Sequence, residues 1–98
     1  MNHQLIIRPE AESEMAEAFD WYEERQPGLG LEFLQCVGAA FSNILNNPGQ
    51  FPQIYRTIRR TLIRRFPYQV CFTINDRLVV ILSVFHAKRD PKRWQNRI

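Results

Sequence analysis

Five arginines fall within one short stretch of the chain: Arg56, Arg59, Arg60, Arg64 and Arg65. If this stretch is extended, side chains alternate between faces. Arg60 and Arg64 then share one face, and Arg59 and Arg65 another, as far as register holds. A surface of planar guanidinium forks suits bidentate contact with phosphate. The same charges would also keep an exposed sheet edge from pairing with other chains. A second basic group follows later: His86, then Lys88 and Arg89, with Trp94 further on. Histidine titrates near neutral pH and can serve as acid or base. Cations beside it could hold a phosphate and stabilise its charge. Trp94, in a basic segment, could stack a nucleobase. The structural alternatives are that His86 hydrogen-bonds backbone at a strand end and that Trp94 anchors the tail to the core. There is no Ser/His/Asp triad, no Gly-rich phosphate loop and no pair of carboxylates within the basic half. What remains is Arg, Lys and His. That equipment suits RNA cleavage, in which a base deprotonates the 2′-hydroxyl and cations stabilise a phosphorane-like state.

The elements that must position these residues follow from periodicity. Leu5, Ile6 and Ile7, closed by Pro9, predict a short first strand. Over residues 10–25, Ala11, Met15, Phe19 and Tyr22 recur on one helical face. Pro9 suits the start of that helix, and Glu10, Glu12 and Glu14 suit its positive end. Glu17, Asp20, Glu23 and Glu24 form the wet face. Gln26-Pro27-Gly28-Leu29-Gly30 stops the helix and permits a reversal. A second helix is predicted from about residue 31 to 46, with Phe33, Leu34, Val37, Phe41, Ile44 and Leu45 as its apolar stripe. The short loop makes the two an antiparallel hairpin. Beyond Pro52 the pattern is β. Residues 54–66 alternate imperfectly, which predicts one strand with a bulge or bend. Tyr68, Val70, Phe72 and Ile74 alternate cleanly, and Asn75-Asp76 turns the chain. Residues 78–86 are almost wholly apolar, as in a central strand covered on both faces. Sequential strands pair, so residues 54–86 form an antiparallel meander that the first strand joins. The expected fold is α+β: one domain over residues 1–98, a twisted antiparallel sheet of about four strands packed by an N-terminal helical hairpin.

Composition agrees. A chain of 98 residues that is 45% hydrophobic is too apolar for a disordered segment and too short for a Rossmann or TIM-barrel enzyme. Its net charge of +3 hides an asymmetry. Residues 1–50 hold Arg8 and Arg25 against eight acidic residues; residues 51–98 hold eleven Lys and Arg against Asp76 and Asp90. Such a chain either presents a basic face to phosphate or an acidic partner, or pairs an acidic helix with a basic sheet. Cys36 and Cys71 are far apart with no CxxC, which points to buried thiols in a reducing compartment. His3 and His86 have no neighbours at metal-ligand spacing. No signal peptide and no membrane-spanning run is seen. The expectation is a cytoplasmic protein with no metal, no cofactor and no membrane association.

In order and spacing these features resemble the RelE/ParE toxin superfamily. The first half is similar in its strand, its acidic helix with Trp21-Tyr22-Glu23, Pro27-Gly28-Leu29-Gly30, and Phe33 opening the second helix. The second half is similar in Asn47-Pro48 to Phe51-Pro52, Arg59-Arg60, Arg65-Phe66-Pro67-Tyr68, the hydrophobic strand, and His86-x-x-Arg89-Asp90-Pro91-x-x-Trp94. The resemblance covers nearly the whole chain. It implies the toxin of a type II toxin–antitoxin pair, neutralised by a small antitoxin that wraps it with a helix or extended segment, in a complex that can form higher hetero-oligomers. RelE-like members cleave mRNA in the ribosomal A site; ParE-like members inhibit DNA gyrase and are not nucleases. The helical hairpin and Phe66-Pro67-Tyr68 look more like the ParE side. The stretch 54–66 has arginines but no lysine, and the tail offers His86 but no tyrosine, a departure from the RelE pattern. The resemblance therefore implies gyrase inhibition first. On the alternative, an mRNA interferase, Arg59, Arg65, His86 and Arg89 would form a substitute catalytic set. A third reading is a toxin fold that binds antitoxin and poisons nothing. In any of these Arg60, Arg64, Lys88 and Trp94 are the expected contacts to phosphate or target.

Overall fold

Strand β1 (Gln4–Ile7) gives way at Arg8 to helix α1 (Pro9–Arg25), with Pro9 in the first helical position. Proline fits there because its missing N–H is one that a helix N-terminus leaves unused. The structure, a computed structural model, describes residues 3–88 and 91–97. Helix α2 spans Leu29–Asn46 and starts two residues before the apolar periodicity predicts. The reason is Glu23 of α1. Its carboxylate accepts the Gly28 N–H at 2.9 Å and the Gly30 N–H at 3.0 Å, so amides at the start of α2 are capped from the preceding helix. Gly28 makes the reversal with φ 90°, in the left-handed region that favours glycine.

Gly30 is where the two helices touch. A Cβ there would lie 2.8 Å from both the ring and the carbonyl oxygen of Phe19. Gly30→Ala is expected to destabilise the protein by about 1–3 kcal/mol, because backbone must move to admit the methyl group. Gly38→Ala in the same helix, where a Cβ would meet nothing within 4 Å, should be neutral or stabilising. Thermal melts of the two variants side by side test the assignment; equal melting points would refute it.

After a 3-10 turn at Pro48–Gln50 come β2 (Gln53–Tyr55), β3 (Ile58–Leu62), β4 (Tyr68–Asn75) and β5 (Leu78–His86), then a short helix α3 (Lys92–Gln95). The sheet order is β1-β5-β4-β3-β2. The meander from β2 to β5 is antiparallel, as the pattern predicts. Two features differ from the expectation. The stretch 54–66 is two strands rather than one bent strand, because Arg56 adopts φ 51° and turns the chain back between β2 and β3. The sheet therefore has five strands. It is also mixed, since β1 runs parallel to β5. A parallel pair needs a long crossover, and the helical hairpin with the meander supplies it.

β5 carries the bulge. Cys71 pairs with Ser83 and Phe72 with Ile81, which leaves Leu82 as an extra residue. Ile81 and Val84 thus both join the core beneath the helices, while Leu82 and Phe85 join a second cluster. The strand is covered on both faces, as its apolar run predicts. On the helical face Ala11 and Ala18 of α1 and Phe33, Val37 and Ile44 of α2 are buried with Val70 and Phe72. Phe33 lies 5.3 Å from Phe66 and 5.1 Å from Tyr68, ring centre to ring centre. On the other face Trp94 covers Ile58, Cys71, Leu82 and Phe85.

Candidate functional site

The β3 register separates the two adjacent arginines. Arg59 stands opposite Phe72, on the helical face, and Arg60 opposite Cys71, on the other. The Arg59 guanidinium donates to the carbonyls of Gly49, at 3.2 Å, and Phe51. It ties the 3-10 turn to the sheet. Arg60 reaches Gln69 Oε1 at 3.4 Å. Arg65 has φ 71° and donates to Glu32 Oε1 of α2 at 2.6 Å, in an exposed ion pair. Arg64 beside it is exposed.

His86 ends β5 opposite Tyr68, with the rings 5.4 Å apart. Its Nδ1 accepts the Lys88 N–H at 3.1 Å, so the ring closes the turn after the strand. Lys88 is exposed. Trp94 is only 4% exposed and packs 6.0 Å from Phe85 and 6.2 Å from Tyr55. That is the tail-anchoring arrangement, and it leaves no ring face open for a base. Arg89 lies outside the described residues. Arg59 and His86 belong to rows of the sheet marked by Phe72 and Tyr68. Four residues of β4 separate those rows, about 13 Å along the strand. Arg59 and His86 therefore stand apart on the sheet, and each described member of the expected catalytic set has another partner.

What the fold builds instead is a cleft of about 470 Å³ between α1 and the end of β5. Trp21, which is 49% exposed, stands on one wall with Tyr22 behind it; Tyr68 and His86 close the other side. Burial, and then the neighbouring Tyr68 hydroxyl, push the Tyr22 pKa up. At one end lies Glu14, with a side chain 12% exposed. Its Oε1 accepts three hydrogen bonds: from the Ser83 hydroxyl at 2.9 Å, the Val84 N–H at 3.1 Å and Arg97 Nη1 at 3.1 Å. Arg97 Nη1 also donates to the Leu82 carbonyl at 3.1 Å. This network fastens the chain after α3 to the β5 bulge. Sequence reasoning placed Glu14 only as a helix-start acid and left Arg97 without a role. No local spacing connects a position in the first helix with one near the far end of the chain.

Both cysteines are free thiols. Burial pushes the Cys71 thiol up to about 12, whereas Cys36 is partly exposed. An unfolded cysteine ionises near 9.0. Below that pH both states hold the proton and nothing is lost. As pH rises from there toward about 12, the unfolded state releases its proton first, so stability falls through that window. Chemical denaturation at pH 8 and pH 11 should show this loss, reduced in Cys71→Ala relative to its own value at pH 8. At pH 8 a thiol reagent should modify Cys36 in the native protein and Cys71 only after unfolding. Among the described residues no three His, Cys, Asp or Glu gather as metal ligands, and no helix is long and apolar enough to cross a membrane.

The family model for the ParE toxin of type II toxin–antitoxin systems (parDE) matches residues 5–91. The chain belongs to the ParE toxin family. Among solved structures, this ParE-family chain is similar to one from the chromosomal ParDE toxin–antitoxin system of P. aeruginosa. They share 17% identity over 86% of this chain and 95% of the other, with a TM-score of 0.77. It is also similar to an arginine double mutant of the E. coli toxin RelE in the free state, at 15% identity over 99% and 94% of the two chains, with a TM-score of 0.71. At these identities the likeness is one of fold, and that fold is the one the RelE/ParE resemblance implies. No curated protein matches the sequence.

Proposed function

We propose that this ParE-family toxin arrests growth by binding DNA gyrase, rather than by cutting RNA, and that a cognate antitoxin neutralises it in the cytoplasm. The observation that supports this reading is the separation of Arg59 from His86 and the engagement of Arg59, Arg65 and His86 with other partners. RNA cleavage needs a base and its stabilising cations within hydrogen-bond reach of one reacting phosphate. Here Arg59 holds the Gly49 and Phe51 carbonyls, Arg65 holds Glu32, and His86 accepts from the Lys88 amide. Binding asks less of geometry, and the exposed Arg64 and Lys88 are available to a target surface. An inhibitor of this kind needs no cofactor.

The second reading is a ribosome-dependent mRNA interferase, which the fold likeness to RelE supports. Pulse-labelling after induction without antitoxin separates the two. If DNA synthesis stops before protein synthesis and the DNA-damage response rises, the gyrase reading stands. His86→Ala then leaves arrest within about twofold of wild type, while Arg64→Ala with Lys88→Ala weakens it. If protein synthesis stops first, with mRNA cut at ribosome-bound codons, the interferase reading replaces it. Growth unaffected by the folded protein would identify a fold that binds antitoxin without poisoning the cell.

A further inference from the structure

Strand β1 is an outer strand of the sheet and, among the described residues, pairs with β5 alone. The Gln4 N–H donates to the Arg77 carbonyl at 2.8 Å and the Arg8 N–H to the Ile81 carbonyl at 3.0 Å. Backbone groups alternate sides along a strand, so Gln4, Ile6 and Arg8 turn theirs toward β5. The N–H and C=O of Leu5 and Ile7 therefore point away from the sheet, and no partner meets them among the described residues. The other margins of the sheet are closed. Past Ile81, the Val84 N–H goes to Glu14 and the Leu82 carbonyl to Arg97. On the far side β2 is three residues long and lies between Pro52 and Arg56. Proline and charge are ordinary guards of a sheet edge. Gln4–Ile7 has neither, and Ile6 is exposed there.

We propose that β1 pairs with β1 of a second copy of this chain, antiparallel about a two-fold axis at Ile6, so that two five-stranded sheets become one continuous sheet. The outward groups set the register. Leu5 meets Ile7 of the second copy and Ile7 meets Leu5, each pair exchanging both main-chain hydrogen bonds. Ile6 then faces Ile6 across the axis as a non-hydrogen-bonded pair, and the side chain exposed in one copy is covered by its counterpart. Leu5 and Ile7 already pack against the core beneath the helices, so pairing extends that apolar face from one copy to the next. Charge allows the contact: Gln4 comes opposite Arg8, and no like charges meet. A neutral edge calls for no charged partner, and a second copy supplies an equally apolar strand of the same length. Space allows it too. α1 packs over β5, one strand in from the edge. The two α1 helices would stand three strand spacings apart, about 14 Å, against a helix diameter of about 10–12 Å. An isologous contact of this kind closes at two chains and does not propagate into a fibre. The contact is small, at the weak end of the range for specific interfaces, so the association depends on concentration. Nothing in it rests on which target the toxin meets.

Sedimentation of the full-length protein at rising concentration should show exchange between one chain and two. Ile6→Lys, at an exposed position, should weaken the dimer about tenfold or more by placing like charges at the axis. Crosslinking reads the register, in a Cys36→Ser background that leaves buried Cys71 as the remaining native thiol. Ile6→Cys should give a disulfide-linked dimer on mild oxidation, because the Cα atoms of a non-hydrogen-bonded pair lie about 4.5 Å apart, within a disulfide's span of about 4.4–6.8 Å. Gln4→Cys should not, because its two copies fall about 13 Å apart along the paired strands. Hydrogen exchange at the Leu5 and Ile7 amides should slow as protein concentration rises. That measurement uses the unaltered chain and so covers the case in which a variant folds poorly. A single chain at every concentration, an Ile6→Lys variant as dimeric as wild type, linkage at position 4 as ready as at position 6, or exchange at Leu5 and Ile7 that ignores concentration would each overturn the proposal. Slowing of those amides only when purified antitoxin is added would give the edge to that partner and overturn it as well.

Discussion

Phe33→Ala is expected to lower the free energy of unfolding by about 3–5 kcal/mol, the range for removing a buried aromatic side chain. Phe33 is 0% exposed and is the hub of an aromatic cluster, in ring contact with Tyr22, Phe66 and Tyr68. Those partners come from α1, from the loop before β4 and from β4 itself, so no single element can collapse to fill the space. Domains of this size lie near the lower part of the usual stability range of about 5–15 kcal/mol. The variant should therefore be partly unfolded at 37 °C and lose its ability to arrest growth. Urea denaturation measures the loss as a lower midpoint with an unchanged slope. A loss under about 1 kcal/mol would mean that the cluster is not the keystone of the hairpin–sheet contact. A partner that binds only the folded toxin should restore the variant in part, by about 2.7 kcal/mol at a hundred times its dissociation constant.

Arg97→Met should have an effect of similar size for an electrostatic reason. Arg97 and Glu14 are 16% and 12% exposed, so they form a largely buried ion pair, and the same guanidinium binds the Leu82 carbonyl. Removing the arginine leaves a buried carboxylate without its counter-charge, which costs about 3–5 kcal/mol. Glu14→Gln should cost less, since an amide oxygen can still accept from Ser83 and Val84. The double variant should be more stable than Arg97→Met alone, because a neutral pair removes the uncompensated charge. A double-mutant cycle measures the coupling; single costs that add within about 0.5 kcal/mol would show that the pair does not act as a unit. Loss of the latch should also free α3 from the sheet. Trp94 emission would then shift to the red, read in a Trp21→Phe background so that one indole reports.

Much of this is legible in the amino-acid order. Helix and strand were separable because their periods, 3.6 and 2, depend only on which side of a short segment is buried. The start at Pro9, the reversal at Gly28 and the two-faced burial of β5 follow from local backbone chemistry in the same way. The toxin family was legible too, through the order of many individually weak features along nearly the whole chain. Local pattern failed where conformation overrode alternation. Arg56 turns into the left-handed region and makes two strands of one, and Leu82 bulges and lets Ile81 and Val84 share a face.

The site lay beyond that reach. Arg59 and Arg60 are neighbours in the chain, yet the pleat sends them to opposite faces and to unrelated partners. Glu14 meets Ser83 across 69 residues and Arg97 across 83. Amino-acid order by itself determined the elements, the family and the charge of each half, because those depend on residues that are neighbours along the chain. Which cations stay free, which carboxylate is buried and where β5 runs without a neighbour were decided by the tertiary structure alone. Those properties depend on which faces meet after the crossover from β1 to β5, and no periodicity within either segment records that meeting.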